Sequence, residues 1–476
     1  MTSRRIVPVL AAVAVLLAAC AGGTSGPGSS GAPSAAAPKD LAPVPVTVPA
    51  GLAAAPLNMP RQVLVPPGWT MSVFARVPSA RLAAWAPDGT LLVSVPKDGS
   101  IVRLTPDGRG TATGSVLLDG LNQPHGLTFA GTTLYVAQSD RVDAYSYAGG
   151  VATAPRPVVT GLPDAKSPEL RGQYAHALKS VAVGSDGAVY VSVGSTGNIS
   201  DDDLTATPPR ASILRVPPGG GAPEPYAVGV RNGTGLAVAP DGAVWTAVNN
   251  RDNIQYPFDR PYGGSSRSSQ GQVIPEYVRD HPVEPLARLT PGRNLGWPYC
   301  NPDADVEPGL VGSAQELSDV PFAVDVQTNP DGRALDCAAL PPVEQALGGH
   351  SAPLGLSFVD GGLPDPWARG ALVGVHGSWN ASPPRAPEVS FFAWQNGGLG
   401  PQQTLVGGFQ AADGSRWGRP VAAVAGPDGA VYVTDDAAGA STMPSTRSST
   451  TTGRACRSSR SSARPTSGRP SRPGPM

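Results

Sequence analysis

The chain has 476 residues, and its 59 Gly and 54 Pro make nearly a quarter of it turn-forming, which disfavours long helices. Charged residues are only 15% of the sequence, and 35 basic against 36 acidic side chains leave a net charge of -1. Because nucleic-acid binding depends on a positive surface, this balance excludes an electrostatic nucleic-acid binder, and we expect no nucleic-acid partner.

Residues 1–20 have the features of a lipoprotein signal peptide. Arg4 and Arg5 precede an apolar run over 6–19, which is shorter than the roughly 20 residues of a membrane-spanning helix. Small residues then lead to Cys20, as in a bacterial lipobox. This pattern predicts a lipid on Cys20 that holds the protein at the extracytoplasmic face of the membrane, in the cell envelope. An ordinary signal peptide with an incidental cysteine is the alternative.

Composition divides the rest of the chain into three parts. Residues 21–58 are rich in Gly, Ser, Ala and Pro and are predicted to be a disordered tether. Residues 59–440 are predicted to fold. Residues 441–476 hold seven Arg and no acidic residue, which predicts a disordered basic tail. A reading-frame shift in GC-rich coding is one origin for this tail, and a basic arm for an anionic surface is the functional alternative.

One pattern, a turn followed by an apolar strand, occurs six times in the folded part. The copies begin at Ala86, Ala130, Gly184, Ala239, Arg369 and Gly426. In most copies an Asp-Gly turn leads into a β-branched and apolar strand, which is the usual signal of a β-hairpin. The blade-sized spacing predicts an all-β fold, a six-bladed β-propeller, with a pair of β-sandwiches as the structural alternative.

Two irregularities interrupt this pattern. The interval between the fourth and fifth copies is about 130 residues long, and its middle, from about 251 to 350, is mostly Pro, Gly, Asp and Asn. We expect a long loop insertion there, between blades four and five, that covers the mouth of the central channel. After the sixth copy no apolar strand follows, so we expect the last blade to lack its final strand.

Two cysteines lie inside the folded part. Cys300 and Cys337 are predicted to form a disulfide, which would stabilise the fold by about 3–4 kcal/mol in the chain-entropy model. Two separate buried thiols are the alternative. Cys456 stays unpaired in the tail.

Several polar residues lie beside the strands of the repeated pattern. They are His125 and His176, just before the second and third strands, His376 at the end of the fifth, Arg231 and Asn232 before the fourth, and Arg419 before the sixth. Equivalent positions of successive blades surround one axis, so these side chains can converge on one pocket. The planar donors of Arg and Asn suit carboxylates or quinone oxygens. For each residue the alternative is a structural hydrogen bond or a local ion pair.

Two oxygen-rich loops could bind a hard cation such as calcium. The first contains Asn250, Arg251 and Asp252, and the second contains Asp305. Neither matches an EF-hand loop, and turn chemistry also explains such clusters. No serine nucleophile elbow, phosphate loop or dinucleotide fingerprint is visible.

Seven short motifs resemble those of the glucose/sorbosone dehydrogenase family, in the family's order and closest to its sorbosone dehydrogenase-like branch. They are NQPHGL at 122, the segment around His176, RNGTGLAV at 231, LGWPYC at 295, HSAPLGL at 350, HGSWN at 376 and GRPVA at 418. The resemblance spans roughly 62 to 438. It implies a six-bladed propeller that binds pyrroloquinoline quinone (PQQ) and calcium and oxidises a sugar or a related alcohol or aldehyde.

The resemblance also implies roles for single residues. His176 would be the general base that takes the substrate's hydroxyl proton as hydride passes to the quinone. Arg231, with Asn232 beside it, would contact the quinone oxygens, and Arg419 the carboxylates of PQQ. His125 and His376 are expected near the cofactor, and Asn250, Arg251, Asp252 and Asp305 at the calcium ion. Soluble glucose dehydrogenases of the family have Asp and Arg where this chain has Ala175 and Trp417.

Three functions are therefore compared. The first is a lipid-anchored quinoprotein dehydrogenase with a sugar or aldehyde substrate and an unknown electron acceptor. The second is a non-catalytic propeller that binds a glycan or a protein at the cell surface. The third is a propeller hydrolase such as a metal-dependent lactonase.

Overall fold

A computed structural model describes residues 40–446, in which nearly all regular structure is β-strand. The two α-helices are short, Asp202–Thr205 (α1) and Pro275–Asp280 (α2). Three single 3-10 turns complete the helical segments: Pro96–Asp98, Pro168–Leu170 and Cys337–Ala339. None of the described helices is long and apolar enough to cross a membrane. The predicted all-β class is confirmed.

Thirty strands build the described part of the chain. Three precede the first blade, β1 to β3 (Ala42–Thr47, Gln62–Val65, Trp69–Ala75). Blade one contains β4 to β7 (Ala83–Trp85, Leu91–Val95, Ser100–Pro106, Ala112–Leu118). Blade two contains β8 to β11 (Leu127–Ala130, Thr133–Ala137, Arg141–Ala148, Val151–Thr160). Blade three contains β12 to β15 (Val181–Val183, Val189–Val193, Ser212–Val216, Glu224–Val228).

The remaining strands complete the ring of six sheets. Blade four begins with β16 to β18 (Gly235–Val238, Val244–Ala247, Glu284–Leu289). Four short strands follow, β19 to β22 (Arg293–Asn294, Cys300–Pro302, Ser318–Val320, Phe322–Val324), before its fourth strand, β23 (Val343–Leu347). Blade five contains β24 to β27 (Pro353–Asp360, Arg369–Val375, Glu388–Gln395, Gly398–Val406). Blade six contains β28 to β30 (Pro420–Ala425, Val431–Asp435, Ala440–Thr446).

Each copy of the repeated pattern supplies the second strand of one blade. These strands are β5, β9, β13, β17, β25 and β29. At the first copy, Gly89 adopts φ 77° and the Asp88 carboxylate accepts a hydrogen bond from the Thr90 amide, as a tight turn requires. All residues of β5 and β13 are buried, because these strands lie in the middle of their sheets. The predicted six-bladed β-propeller is confirmed.

The N-terminal strands close the ring. In blade six, β30 lies between β29 and β3, with Thr442 opposite both Val433 and Val73. The expectation that residues 441–476 leave this blade without its last strand is therefore wrong. A ladder needs backbone N–H and C=O groups rather than apolar side chains, and the small Ser441 and Thr442 are 0% and 1% exposed between their neighbours.

The boundary of the predicted tether also differs from the structure. Strand β1 lies inside the predicted tether, and it pairs with β2 in antiparallel register and with β3 in parallel register. Val44 and Val46 alternate with prolines in β1, and Val46 packs in the core, so a strand period of two was concealed by the proline content. Two predicted segments lie outside the described residues. They are residues 1–39, with the signal peptide, Cys20 and the first part of the tether, and the tail from 447, with Cys456.

The long insertion belongs to blade four itself. Its two parts are residues 248–283, between β17 and β18, and residues 290–342, between β18 and β23. Since β18 and β23 pair with each other inside the blade, the insertion interrupts blade four rather than separating it from blade five. The predicted disulfide is confirmed: Cys300 and Cys337 are bonded, with their Cα atoms 5.7 Å apart.

Candidate functional site

One end of the propeller collects polar residues from all six blades. The first strands of the blades line a narrow axial cavity, and each is followed by an antiparallel partner. The start of every first strand and the end of every second strand therefore meet at this end, which we call the mouth. A basic or imidazole side chain lies just before each first strand: Arg81, His125, His176, Arg231, His350 and Arg419.

Arg231 is held at the mouth by the loop that follows β17. It is 5% exposed, and its guanidinium donates hydrogen bonds to the Asn250 carbonyl at 2.7 Å and to the Asn198 side-chain oxygen at 3.1 Å. It also lies 3.4 Å from the carboxylate of Asp252. The Arg231 Nε atom is buried and has no partner among the described residues. One donor of a fixed guanidinium is thus left for another group.

His176 is oriented by the end of β13. Its Nδ1 lies 3.0 Å from the Ser195 carbonyl oxygen and 2.9 Å from the Ser195 hydroxyl, which itself donates to the carbonyl of Gly197. Because a carbonyl only accepts, Nδ1 carries the hydrogen and Nε2 keeps the lone pair. Burial, followed by the charge of Arg231, lowers the pKa of His176 to about 4, so the ring is neutral at neutral pH.

Gly194 permits this arrangement. A Cβ atom at that position would lie 2.5 Å from the Cβ of His176 and 3.1 Å from the side-chain oxygen of Asn232. Only a residue without a side chain therefore allows these two groups to approach the end of β13 together.

Asp252 connects two further residues to Arg231. Its Oδ1 accepts a hydrogen bond from the Asn380 amide at 3.1 Å and lies 3.6 Å from Nδ1 of His350. Burial acts to raise the pKa of Asp252, but His350 and Arg231 outweigh it and lower that pKa. We call His176, Arg231, Asp252, His350 and Asn380 the Arg231 group.

A second set of contacts joins blades one, five and six. Asp436 accepts from Arg81 at 2.9 Å and lies 2.8 Å from Nε2 of His376. Arg419 donates to the backbone carbonyl of His376 at 2.9 Å. We call Arg81, His376, Arg419 and Asp436 the Asp436 group. Because Asn380 follows His376 by four residues and contacts Asp252, one loop connects the two groups.

The mouth carries more positive than negative charge. The two groups contain three arginines and two aspartates, Asp252 and Asp436. Among the described residues, the buried Nε atoms of Arg81 and Arg231 have no hydrogen-bond partner. The arrangement suits an anionic ligand with several oxygen acceptors.

The predicted residues are only partly brought together. His176, Arg231 and Asn232 lie side by side, and His376 lies with Arg419. His125 is completely buried: its Nδ1 lies 3.2 Å from the Lys179 carbonyl, and its Nε2 has no partner among the described residues. Burial lowers the pKa of His125 to about 3, so it is a neutral part of the channel wall.

The four residues predicted to bind calcium do not form one site. Arg251 is buried in an ion pair with Asp325, so it neutralises that carboxylate instead of neighbouring an ion. Asp305 lies beside His281 and Asp303. Asn250 and Asp252 remain at the mouth, where their oxygens contact Arg231.

Sequence reasoning missed four residues of the mouth: Arg81, His350, Asn380 and Asp436. Arg81 and His350 precede first strands as Arg231 does, so extending that rule to every blade would have found them. Asp436 comes directly after β29, and Asp252 comes five residues after β17, so both follow the second strand of a blade. Asn380 carries no comparable signal, because its contact with Asp252 depends on the course of a loop.

Comparisons with known proteins agree with this fold. A family model described as TrAA12-like matches residues 63–443. The holo form of a pyranose dehydrogenase PQQ domain from Coprinopsis cinerea has a TM-score of 0.65 at 20% identity, covering 84% of this chain and 100% of that chain. A calcium structure of a Trichoderma reesei protein of Carbohydrate-Active Enzymes Family AA12 has a TM-score of 0.65 at 20% identity, covering 81% and 97%.

A structure described as a glucose dehydrogenase is more distant, with a TM-score of 0.50 at 15% identity and coverage of 80% of this chain and 100% of that chain. No curated protein matches the sequence. At these identities the likeness shows the fold. The predicted resemblance to sugar dehydrogenase propellers is confirmed at that level.

Proposed function

The chain belongs to the TrAA12-like family, and from that membership we propose that it is a PQQ-dependent dehydrogenase that oxidises a sugar or a related alcohol or aldehyde. The observation that carries this proposal is the pairing of a neutral, oriented imidazole, His176, with a fixed guanidinium, Arg231, at the mouth of the propeller. A base for a hydroxyl proton and a cation for developing negative charge are what an alcohol oxidation requires of the protein.

The residues present fit PQQ, which is a planar quinone that carries carboxylates. The mouth has an excess of arginine charge, and Arg231 Nε is buried without a partner among the described residues. Arg231 and Asn232 would face the quinone oxygens, and Arg419 would face a carboxylate. Bound PQQ supplies an electron-accepting carbonyl carbon, a chemistry that side chains lack.

His176 moves the proton. Its Nδ1 hydrogen bond to Ser195 fixes the ring and leaves the Nε2 lone pair free to accept the hydroxyl proton of the substrate. The positive charge of Arg231 lowers the pKa of His176, and the negative charge of Asp252 raises it. The basicity of His176 therefore depends on the balance between these two charges. An anionic ligand beside Arg231 would offset the cation and make His176 a stronger base.

Arg231 supplies fixed electrostatic stabilisation. Its guanidinium is already tied to Asn250 and Asn198, so it needs little rearrangement when negative charge develops nearby. Burial lowers the pKa of Arg231 from 12.5, and the neighbouring Asp252 opposes that shift.

An exposed aromatic side chain favours a sugar over a small aldehyde. Trp379 is 73% exposed and precedes Asn380, which contacts Asp252 of the Arg231 group. An apolar ring beside hydrogen-bonding groups matches the two kinds of surface that a sugar presents.

Calcium is part of this proposal at the loop after β17. The carbonyl oxygens of Asn249 and Asn250 and the carboxylate of Asp252 are hard donors of the kind that Ca²⁺ binds. All three already contact the guanidinium of Arg231, so Ca²⁺ would compete with that cation for them, and the carboxylates of bound PQQ would have to supply the remaining negative charge.

The cellular location of the protein and the electron acceptor for its cofactor are also part of the proposal. The predicted lipid on Cys20 would hold the propeller at the extracytoplasmic face of the membrane, where a separate electron acceptor must reoxidise the cofactor. The Cys300–Cys337 disulfide supports an oxidising compartment.

The test is reconstitution of the purified protein with PQQ and Ca²⁺, followed by dye reduction with a panel of aldoses, alcohols and aldehydes. We expect reduction only when PQQ and a sugar are both present, and loss of activity with a chelator that Ca²⁺ restores. Glycan binding without any dye reduction would favour a non-catalytic propeller, and PQQ-independent lactone hydrolysis would favour a hydrolase.

A further inference from the structure

Three metal-ligating side chains meet where the two parts of the blade-four insertion touch. His281 follows α2 in the first part, and Asp303 and Asp305 follow β20 in the second. One ligand atom from each lies within 4.8 Å of the other two. The three residues are 5%, 5% and 9% exposed, respectively. Among the described residues, their link to the mouth is the backbone carbonyl of His281, which lies 3.1 Å from Nε2 of His350.

His281 is oriented as a ligand. Its Nδ1 lies 3.0 Å from the carbonyl oxygen of Tyr277, so it carries the hydrogen and leaves the Nε2 lone pair directed at the aspartates. The ring also stacks on Tyr277, with centroids 4.1 Å apart and planes 10° from parallel. A histidine that donates one N–H to a backbone carbonyl is the usual preparation for binding a metal through its other nitrogen.

Each aspartate accepts a hydrogen bond from a backbone amide through one of its oxygens. Asp303 Oδ1 accepts from the Asp305 amide at 3.1 Å, while Asp303 Oδ2 is buried with no partner among the described residues. Asp305 Oδ2 accepts from the Gly309 amide at 3.3 Å, and its Oδ1 faces His281. A buried carboxylate oxygen without a partner, such as Asp303 Oδ2, is costly unless a cation lies beside it.

The two distances from His281 to the aspartates fit a small cation. His281 Nε2 lies 3.2 Å from Asp305 Oδ1 and 3.5 Å from Asp303 Oδ1, yet it forms no aligned hydrogen bond to either. Ligands of a tetrahedral zinc ion, at bond lengths near 2.1 Å, are about 3.4 Å apart.

We propose that His281, Asp303 and Asp305 bind a divalent transition-metal ion, with Zn²⁺ as the best match. Calcium prefers oxygen ligands only, whereas an imidazole nitrogen with two carboxylates suits zinc. This site is separate from the calcium position proposed at Asp252 and does not depend on the enzyme assignment. The ion would tie the two parts of the insertion together, and its fourth position would be left to a water molecule.

The metal would also support the mouth. The backbone carbonyl of His281 lies 3.1 Å from Nε2 of His350, whose other nitrogen faces Asp252. His350 has a positive φ of 59°, a conformation that surrounding contacts must hold in place. Fixing His281 therefore fixes His350 within the Arg231 group.

The alternative without a metal is an imidazolium between two carboxylates. Burial acts to lower the pKa of His281, but contacts with Asp303 and Asp305 raise it to about 9. A protonated ring would satisfy the same charges with no metal at all. Metal binding to the purified protein separates the two possibilities.

The experiment is calorimetric titration of the chelator-treated full chain with Zn²⁺ and, separately, Ca²⁺. We expect wild type to bind one equivalent of Zn²⁺ at this site, at least tenfold more tightly than Ca²⁺, and Asp303→Asn and His281→Gln to lose that equivalent. Asp331→Asn, an exposed aspartate of the same insertion, is the matched control and should retain it. Asp252→Asn should retain it as well.

Wild-type protein that takes up no Zn²⁺ overturns the proposal without any variant, and so does a folded Asp303→Asn protein with full zinc stoichiometry. Co²⁺ provides a second readout if the variants do not fold. Its visible spectrum in wild type should show nitrogen and oxygen ligands, and thiolate charge-transfer bands would mean that cysteine binds the metal instead. None of these outcomes requires PQQ, so they are independent of the proposed enzyme activity.

Discussion

The regular blades and the insertion of blade four are stabilised in different ways. Strands such as β5, β13 and β29 are buried along their whole length and packed in continuous ladders. The insertion has few strands, and polar or covalent links hold it: the Cys300–Cys337 disulfide, the Arg251–Asp325 ion pair and the His281 cluster. An aromatic cluster centred on Tyr256 and Tyr277 is its main apolar contribution.

This difference between the blades and the insertion explains where the candidate site lies. The blades supply His176 and Arg231 at strand ends, where position is fixed by the ring. The insertion supplies Asp252, and the backbone carbonyls of its residues Val278 and His281 face Nε2 of His350, so it sets the polar surroundings of the groups that the blades position. Chemistry should therefore be most sensitive to changes in the blades, and local order to changes in the insertion.

The largest expected effect is on turnover. Replacing His176 with alanine removes the proton acceptor, and we expect dye reduction by the PQQ-loaded protein to fall about 10²- to 10⁴-fold. PQQ affinity should change little, because the base acts on the substrate. Steady-state rates and a PQQ titration check the two parts, and near-normal turnover of the variant would remove His176 from the mechanism.

Removal of the disulfide tests the stability of the insertion separately from that of the blades. The double variant Cys300→Ser/Cys337→Ser should destabilise the insertion by about 3–4 kcal/mol in the chain-entropy model. We expect limited proteolysis to cleave within 290–342 while the blades stay resistant, because their ladders do not depend on this bond. Cys456→Ser controls for the loss of a cysteine. Cleavage spread evenly over the blades would contradict the separation of the two regions.

Substitutions in β30, the strand that closes the ring, test the stability of the blades separately from that of the insertion. Thr442→Pro removes an N–H from the ladder between β29 and β3 and should cost about 1–3 kcal/mol of unfolding free energy, because a buried carbonyl loses its partner. Thr442→Val is the matched control: the buried Thr442 hydroxyl has no partner among the described residues, so a methyl group should be neutral or stabilising by about 1 kcal/mol. Equal melting temperatures for the two variants would mean that β30 does not close the ring.

The smallest effect concerns Glu284, at the start of β18 where blade and insertion meet. Burial raises the pKa of Glu284 to about 8, against about 4.3 in an unfolded chain. The folded state therefore binds this proton more tightly, and unfolding free energy decreases as pH rises from about 4.3 to 8. Glu284→Gln should be more stable than wild type at pH 8, by on the order of 1–3 kcal/mol.

Melting curves from pH 5 to pH 8 check this prediction. The variant should show a shallower decline than wild type, although Asp435, whose pKa burial raises to about 7, will leave part of the slope. Parallel curves for the two proteins would show that Glu284 is not protonated in the fold.

Much of the blade architecture could be predicted from the sequence. A two-residue turn and an alternating strand are local patterns, so all six second strands were found. The final strand β30 was missed, because its Ser and Thr residues satisfy the ladder without an apolar signal. The ion pair of Arg81 with Asp436 joins residues 355 positions apart, and only ring closure brings them together.

The site was predictable to the extent that it follows the repeat. The places of His176 and Arg231 at the mouth follow from the repeat, while their roles stay predictions, and Arg251 and Asp305 of the predicted calcium set have partners elsewhere. Both lie in the insertion, where side-chain partners depend on tertiary contacts and not on a period. The pairing of His281 with Asp303 and Asp305 also depends on tertiary contacts in the insertion, so it was not predicted from the sequence.

We infer that the mouth holds PQQ through Arg231. The most direct measurement is a PQQ titration of the purified protein, in which wild type, Arg231→Ala and His176→Ala are compared under identical conditions. We expect saturable binding by wild type, a similar affinity for His176→Ala, and an affinity at least tenfold weaker for Arg231→Ala, because that change removes a charge-assisted contact. Equal PQQ affinity of wild type and Arg231→Ala, or no binding by either, would show that Arg231 does not hold PQQ at the mouth.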